Sequence, residues 1–418
     1  MKILELGPYI LIQGHKHGMK NQTGFAYMFR DIVDMLADQH EVYVMTQSIL
    51  TDEIHVGKWV LLKRSIFTIF RNFCWGYFVT ALKFGNKFGM NFKQRLKIIF
   101  YFLSAGQVEA VIKTYRPDII HIHSIDIYTL PYFMAAAKYD IPVICTLHGL
   151  VSFNNMISDK MHKRIEHAYL QMVIENGYDV SLVSSGMLDR ITSRYGINKI
   201  RVILNYLSIP DNYLINKLFY VKKDAVKTIV CVGSLAYRKN QIQLLRVLPV
   251  IQKYFANKYE IQVNLIGDGE DWDLLHSYVD KNKLSGVIFN GRMQKSDVYS
   301  NIEASDLLVL PSIDEGFGLP IIEAYHAGIP VVTFNDIDAI NDLYSEDCMI
   351  VAGDHKDETL AKAIIESLDR QWDKDSIKKF SKKFSAEIIS KQYEEYIQNA
   401  TKAIDKRDID KFINKILS

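Results

Sequence analysis

Along the chain, short apolar runs rich in Ile and Val alternate with longer stretches in which apolar positions recur every third or fourth residue. The first pattern predicts buried strands and the second amphipathic helices. Their alternation is the mark of parallel sheets covered by helices on both faces. It occurs twice. One series reads KILELG, EVYVMTQ, DIIHIHS, IPVICTLHG, VSLVSS and RVILNYLS; the other reads TIVCVGS, VNLIGDG, VIFNGR, LLVLPS and IPVVTF. Between them lies a polar, turn-rich stretch, IPDNYLINKLFYVKKDA, which reads as a linker. The expected organisation is a domain over 1–208, a linker over 209–225, a second domain over 226–385 and a helical C-terminal region over 386–418. In doubly wound sheets ligands bind beyond the carboxyl ends of the strands, so the residues just after each run carry the chemistry.

The stretch DEGFGLPIIEAYHAGIPVV illustrates this. LLVLPS is a buried strand, IDEGFG its exit loop, and Pro320 is expected at the first helical position, where its missing N–H is harmless. Gly328 should end the helix as a left-handed cap, with Pro330 preventing continuation. Gly316 and Gly318 let the backbone approach a ligand, and the amides from Phe317 through Leu319 to Ile321 should face outward at the positive end of the helix dipole. That makes an anion site, with Glu315 in front of it and Glu323 about one turn behind. The two carboxylates can accept from hydroxyls on either side of a bound diphosphate, the layout of a nucleotide sugar. Taken alone, the pair reads first as a dipole complement, Glu323, and a solvated charge, Glu315, by the base rate for charged surface residues.

The other strand exits shift the balance. After TIVCVGS, Arg238 and Lys239 fall at the start of the next helix, where a cation is electrostatically unfavourable. Such a break in a local rule collects at functional sites, and an anionic ligand would compensate it. LIGDGED supplies a further glycine-rich exit, with Gly267 and Asp268 placed to pass under a nucleobase.

Composition narrows the class. The 418 residues are 49% hydrophobic with a net charge of +2, an ordinary globular balance too large for one core and without the basic excess of a nucleic-acid binder. Cys74, Cys145, Cys231 and Cys348 are far apart and form no CxxC pair, which fits a reducing cytoplasm and neither a zinc site nor a disulfide framework. The start, MKILELGPYI, enters a strand pattern directly, so no signal peptide is expected, and no apolar run is long enough to span a membrane.

These motifs together resemble the GT-B retaining glycosyltransferases of family 4. Their signature is a Glu, seven residues and a second Glu, here EGFGLPIIE from Glu315 to Glu323, and VGSLAYRKNQ, LIGDGED, FNGRMQKSDVYSNIEASDLLVLPS and HAGIPVV fall in the family's order. The resemblance implies an α/β GT-B architecture: two doubly wound Rossmann-like domains facing across a deep cleft, the C-terminal one binding the donor. It implies that Lys239 contacts the diphosphate, that Glu323 holds the ribose and that Glu315 contacts the donor sugar. Ser234 stands where relatives often have an Arg, leaving Arg238 as a substitute. His148, in CTLHG, resembles the family's active-site His. Asn205 sits where the family has an Asn near the domain crossover. The N-terminal glycine loop usually carries adjacent glycines, whereas Gly14, Gly18 and Gly24 are separated here. The final helix, around SKQYEEYIQ, resembles one that crosses back to the N-terminal domain.

His121 and His123 alternate on one strand and share a face. No third ligand is visible beside them, so no metal is expected, while His123 lines the acceptor side. The two DID triplets, at Asp336 to Asp338 and Asp408 to Asp410, read as surface charges. The expected mechanism is therefore metal-free and needs no cofactor: Lys239 and the helix amides stabilise departing UDP or GDP. From Lys58 to Lys97 the chain carries nine Lys and Arg, ten aromatic residues and no Asp or Glu. That mixture predicts peripheral contact with the inner leaflet of the cytoplasmic membrane, or else packed helices with a basic groove for the acceptor. The substrates expected are a nucleotide sugar and a glycan acceptor carried on lipid. A sugar-nucleotide epimerase and a catalytically silent binding protein are the alternatives.

Overall fold

A computed structural model describes residues 1–12, 24–153, 159–196, 200–209 and 225–418. Its contacts divide the chain into two compact units: 1–183 with 187–203 and 390–418, and 184–186 with 204–389. Gly14, Gly18 and most of the expected linker lie outside the described residues.

The first unit is built on an eight-stranded sheet. Its strands are β1 (Lys2–Gly7), β2 (Glu41–Thr46), β3 (Ile54–Val56), β4 (Trp59–Leu61), β5 (Ile119–His123), β6 (Val143–Leu147), β7 (Asp179–Leu182) and β8 (Arg201–Val202), in the order β3-β4-β2-β1-β5-β6-β7-β8. All neighbours are parallel except β3 and β4. That edge hairpin, turning at Gly57 in the left-handed region, has no counterpart among the strand runs expected from the sequence. Three residues per strand are too few for a period to show.

The helices of this unit include α1 (Gly24–Leu36), α2 (Ile66–Arg71), α3 (Trp75–Lys87) and α4 (Phe92–Tyr115). Ser65 and Asn91 open α2 and α4 with reciprocal caps to Thr68 and Gln94. α3 buries Tyr77, Ala81, Phe84 and Gly85, the spacing of one helix face. The C-terminal residues pack into this same unit, with Tyr393, Tyr396 and Ile397 buried and the Tyr396 hydroxyl donating to the Cys145 carbonyl at 3.3 Å.

The second unit carries a six-stranded, wholly parallel sheet: β9 (Val226–Val232), β10 (Glu260–Ile266), β11 (Val287–Gly291), β12 (Leu307–Leu310), β13 (Val331–Phe334) and β14 (Met349–Ala352), ordered β11-β10-β9-β12-β13-β14. The chain moves outward one way from β9 and the other way from β12, so the strand order reverses between them. Residues such as Ile229, Leu248, Val263, Val309 and Ile364 fill its core. β14 is a further strand beyond those expected. Its four residues, Met349–Ala352, are not among the strand runs expected from the sequence. Among the described residues, no helix is long and apolar enough to cross a membrane.

Candidate active site

In the second unit, the exits of β9 and β12 meet where the strand order reverses, the ligand position of doubly wound sheets. β9 leaves through Gly233 and Ser234 into a 3-10 turn, Tyr237–Lys239, and the helix Gln241–Phe255 starts only after Asn240, whose φ is 54°. Arg238 and Lys239 therefore precede the helix rather than opening it. The Arg238 carbonyl accepts from the Ile313 amide at 2.8 Å, tying this turn to the loop after β12. Gly267 closes in from β10 at φ 144°, and a Cβ there would collide with the Gly233 carbonyl. Asp268 accepts from the Gly269 amide and pairs at 3.6 Å with Arg292, the last residue of the run VIFNGR, to which the sequence pattern assigned no role.

At the centre, the Lys239 ammonium donates to the Glu315 carboxylate, and both side chains are nearly buried. Burial alone would raise the Glu315 pKa, but Lys239, then Arg238 and the Gly318 amide, hold it below the ordinary carboxylate value. The carboxylate thus occupies the positive spot expected to receive a phosphate. This corrects the expected row of open amides: Gly318 serves Glu315, Ile321 donates to the Gly318 carbonyl at 2.9 Å, and Pro320 has no N–H. At most Phe317 and Leu319 remain. The helix runs from Leu319 to Ala327, so Pro320 is its second residue, and the left-handed glycines Gly318 and Gly328 flank it. Glu323 is half-buried within it. Asp338 is buried, not a surface charge, and its amide supports the loop by donating to the Glu315 carbonyl at 3.0 Å. Gly316 lies in that loop, Ser234 is exposed, and Asn205 is buried with its Oδ1 unpartnered among the described residues.

In the first unit the order reverses between β1 and β5, and the histidines stand there. Glu5 of β1 lies in register with His121 of β5. Its two carboxylate oxygens lie 3.1 Å from His121 Nδ1 and 2.7 Å from His123 Nε2, all three side chains being wholly buried. The expectation that the histidines lack a third partner is therefore wrong. The signal was available: a Glu inside the apolar strand KILELG has no place in a strand covered on both faces. His123 Nδ1 continues to His148 Nε2 at 3.0 Å, the rings nearly parallel. Burial opposes ionisation of Glu5, but the two histidines outweigh it and lower its pKa to about 2. Burial and the charge on His121 push His123 down to about 4. His148 falls well below its ordinary value for want of solvent and because of the neighbouring histidines. Phe25, beside Gly24 at the start of α1, packs edge-on against His148.

The family described as Glycosyltransferase Family 4 matches residues 23–207, and that described as Glycosyl transferases group 1 matches residues 216–384. The chain belongs to glycosyltransferase family 4. The chain is 25% identical over 228 residues to glycogen synthase of Mycobacterium tuberculosis, covering 53% of each chain. The chain therefore spans about half the length of that relative. It is 29% identical over 143 residues to O-antigen chain mannosyltransferase B of Escherichia coli, covering 34% of this chain and 37% of that one. Among solved structures, sucrose-phosphate synthase of Thermosynechococcus elongatus superposes with a TM-score of 0.69 at 15% identity, covering 95% of this chain and 98% of that one. The fold is GT-B.

Proposed function

We propose that this glycosyltransferase moves a sugar, with retention of anomeric configuration, from a nucleoside diphosphate sugar to a glycan acceptor carried on lipid, in the synthesis of a surface polysaccharide. The observation carrying this reading is the Lys239–Glu315 pair at the strand-order reversal of the second unit. A diphosphate entering there takes over the ammonium, and Glu315 is released toward the sugar attached to it. Lys239 and the remaining amides then stabilise the leaving diphosphate without a metal ion. Glu323 accepts from the ribose hydroxyls, while Gly267 and Asp268 border the base. His148 accepts from a sugar hydroxyl. An O-antigen mannosyltransferase among the relatives supports the acceptor class.

Placement on a membrane is part of the same proposal. α2 buries Ile69 but leaves Phe67 and Phe70 exposed, and Trp75 and Phe92 at the starts of α3 and α4 are 70% and 74% exposed. Lys83, Lys87, Lys93 and Lys97 are exposed on α3 and α4. Trp59, Arg64, Tyr77 and Phe84 are buried, which removes them from the set expected to touch lipid.

The test is a panel of nucleotide sugars scored for thermal stabilisation, and then transfer assays with the stabilising donor. A donor that stabilises the protein and is consumed only with acceptor supports transfer. Conversion of the donor without acceptor would make the protein an epimerase, and stabilisation by none of the panel would sink the donor assignment.

A further inference from the structure

Glu5 sits where a buried parallel strand calls for an apolar residue, and the hydrogen-bond chain leading from it has a direction that can be read. An ionised carboxylate only accepts, so both ring nitrogens facing Glu5 carry protons: His121 Nδ1 toward Oε1 at 3.1 Å and His123 Nε2 toward Oε2 at 2.7 Å. A neutral imidazole has one N–H, and burial keeps His123 neutral at ordinary pH. Its Nδ1 is then a lone pair. Because that atom lies 3.0 Å from His148 Nε2, the proton between them belongs to His148. The remaining nitrogen, His148 Nδ1, has no hydrogen-bond partner among the described residues, on a side chain that is itself half-buried.

We propose that Glu5 is a positioning residue that, acting through His123, fixes His148 as the Nε2-protonated tautomer and so presents its bare Nδ1 as an acceptor for a hydroxyl of the bound sugar. The far side of the chain is anchored in the same way. His121 Nε2 meets Thr146 Oγ1 at 2.8 Å, and Thr146 meets Ser181 Oγ at 2.8 Å. The assignment rests on reading His148 as a site residue of glycosyl transfer, but its readout needs no substrate.

Glu5, His121 and His123 also have ligand atoms within 4.8 Å of one another, the spacing of a metal site. A metal would make the opposite prediction. It would take the lone pairs of the nitrogens facing Glu5, move the His123 proton to Nδ1, and turn His148 Nε2 into an acceptor and His148 Nδ1 into a donor.

The experiment is nitrogen-15 NMR of the full chain labelled at histidine, with the His148 signals assigned from the spectrum of His148→Asn. The expected result is a lone-pair-type shift at Nδ1 and a protonated-type shift at Nε2 in the wild type. In Glu5→Leu, which offers His123 Nε2 no acceptor, that pattern is lost and kcat falls at least about tenfold with the donor KM little changed. His148 protonated at Nδ1 in the wild type, a stoichiometric metal in the purified protein, or a folded Glu5→Leu with unchanged His148 shifts would each overturn the proposal. The wild-type spectrum decides the matter even if Glu5→Leu does not fold. If the expected tautomer is found but no donor is bound or turned over, the function reading fails and the tautomer assignment stands.

Discussion

Lys239 and Glu315 hold each other in the unliganded protein, and this separates the expected behaviour of the site residues. On the proposed mechanism Lys239→Ala removes a charge that stabilises the departing diphosphate, so kcat should fall at least a hundredfold, about 3 kcal/mol of transition-state stabilisation. Turnover close to wild type would pass that duty to Arg238. Glu315→Gln frees Lys239, so free nucleoside diphosphate should bind as well as to wild type or better while kcat drops. If Glu323 holds the ribose as proposed, Glu323→Gln removes contacts present equally in ground and transition states and should mainly raise the donor KM. Equal loss of nucleotide affinity in both glutamate variants would refute the division. The buried histidines predict a pH effect on stability. His123 and His148 take up protons less readily folded than unfolded, so the unfolded chain binds more protons as pH falls below 6.5, and stability is lost from there through about pH 4. Each such histidine costs about 1.4 kcal/mol per pH unit within its window. Glu5, also lowered, adds a further loss between 4.5 and about 2. Melting curves should show the decline, and His148→Asn should make it shallower; a flat profile from pH 7 to 4 would contradict the neutral assignments.

At the scale of elements, α2, α3 and the start of α4 are apolar on two sides. One side packs within the first unit through Ile69, Tyr77 and Phe84, and the other leaves Phe67, Trp75 and Phe92 in solvent. Burying a large apolar side chain is worth about 1.5–3 kcal/mol, and each nearby Lys adds about 1 kcal/mol at an anionic surface. Lys87 donates to the Ser418 carbonyl and Lys97 lies over Tyr128, so Lys83 and Lys93 are the cleaner charges to change. Replacing Phe67, Trp75 and Phe92 by Ser should abolish sedimentation with anionic vesicles, and Lys83→Glu with Lys93→Glu should weaken it, with turnover on a short soluble acceptor unchanged in both. Undiminished sedimentation of the aromatic variant would remove these helices as the anchor. The sequence showed this segment's composition but not its two faces. Residues as alike as Tyr77 and Trp75 are separated only by which side of α3 meets α4.

For the whole molecule, a diphosphate neutralised by Lys239 and backbone amides needs no ion, so activity should survive EDTA; complete loss restored by manganese or magnesium would reverse that. A donor at a hundred times its dissociation constant should stabilise the protein by about 2.7 kcal/mol, and hydrogen exchange should slow at 233–239, 267–269 and 315–321. Protection confined to the first unit would move the donor site. Much of this architecture was legible from the chain alone, because strand burial, helix period and glycine or proline punctuation are local properties: eleven runs marked strands, and Gly328 and Pro330 marked the end of their helix. The glutamate pair and Lys239 were legible for the same reason, each coming after a recognisable strand. What needed the tertiary structure were pairings between residues distant in sequence. Glu5 and His123 are separated by 118 positions, and Lys239 and Glu315 by 76. The strand order that brings them together is chosen by packing of whole sheets, and a hydrogen bond between side chains results from that choice without leaving a period in the sequence.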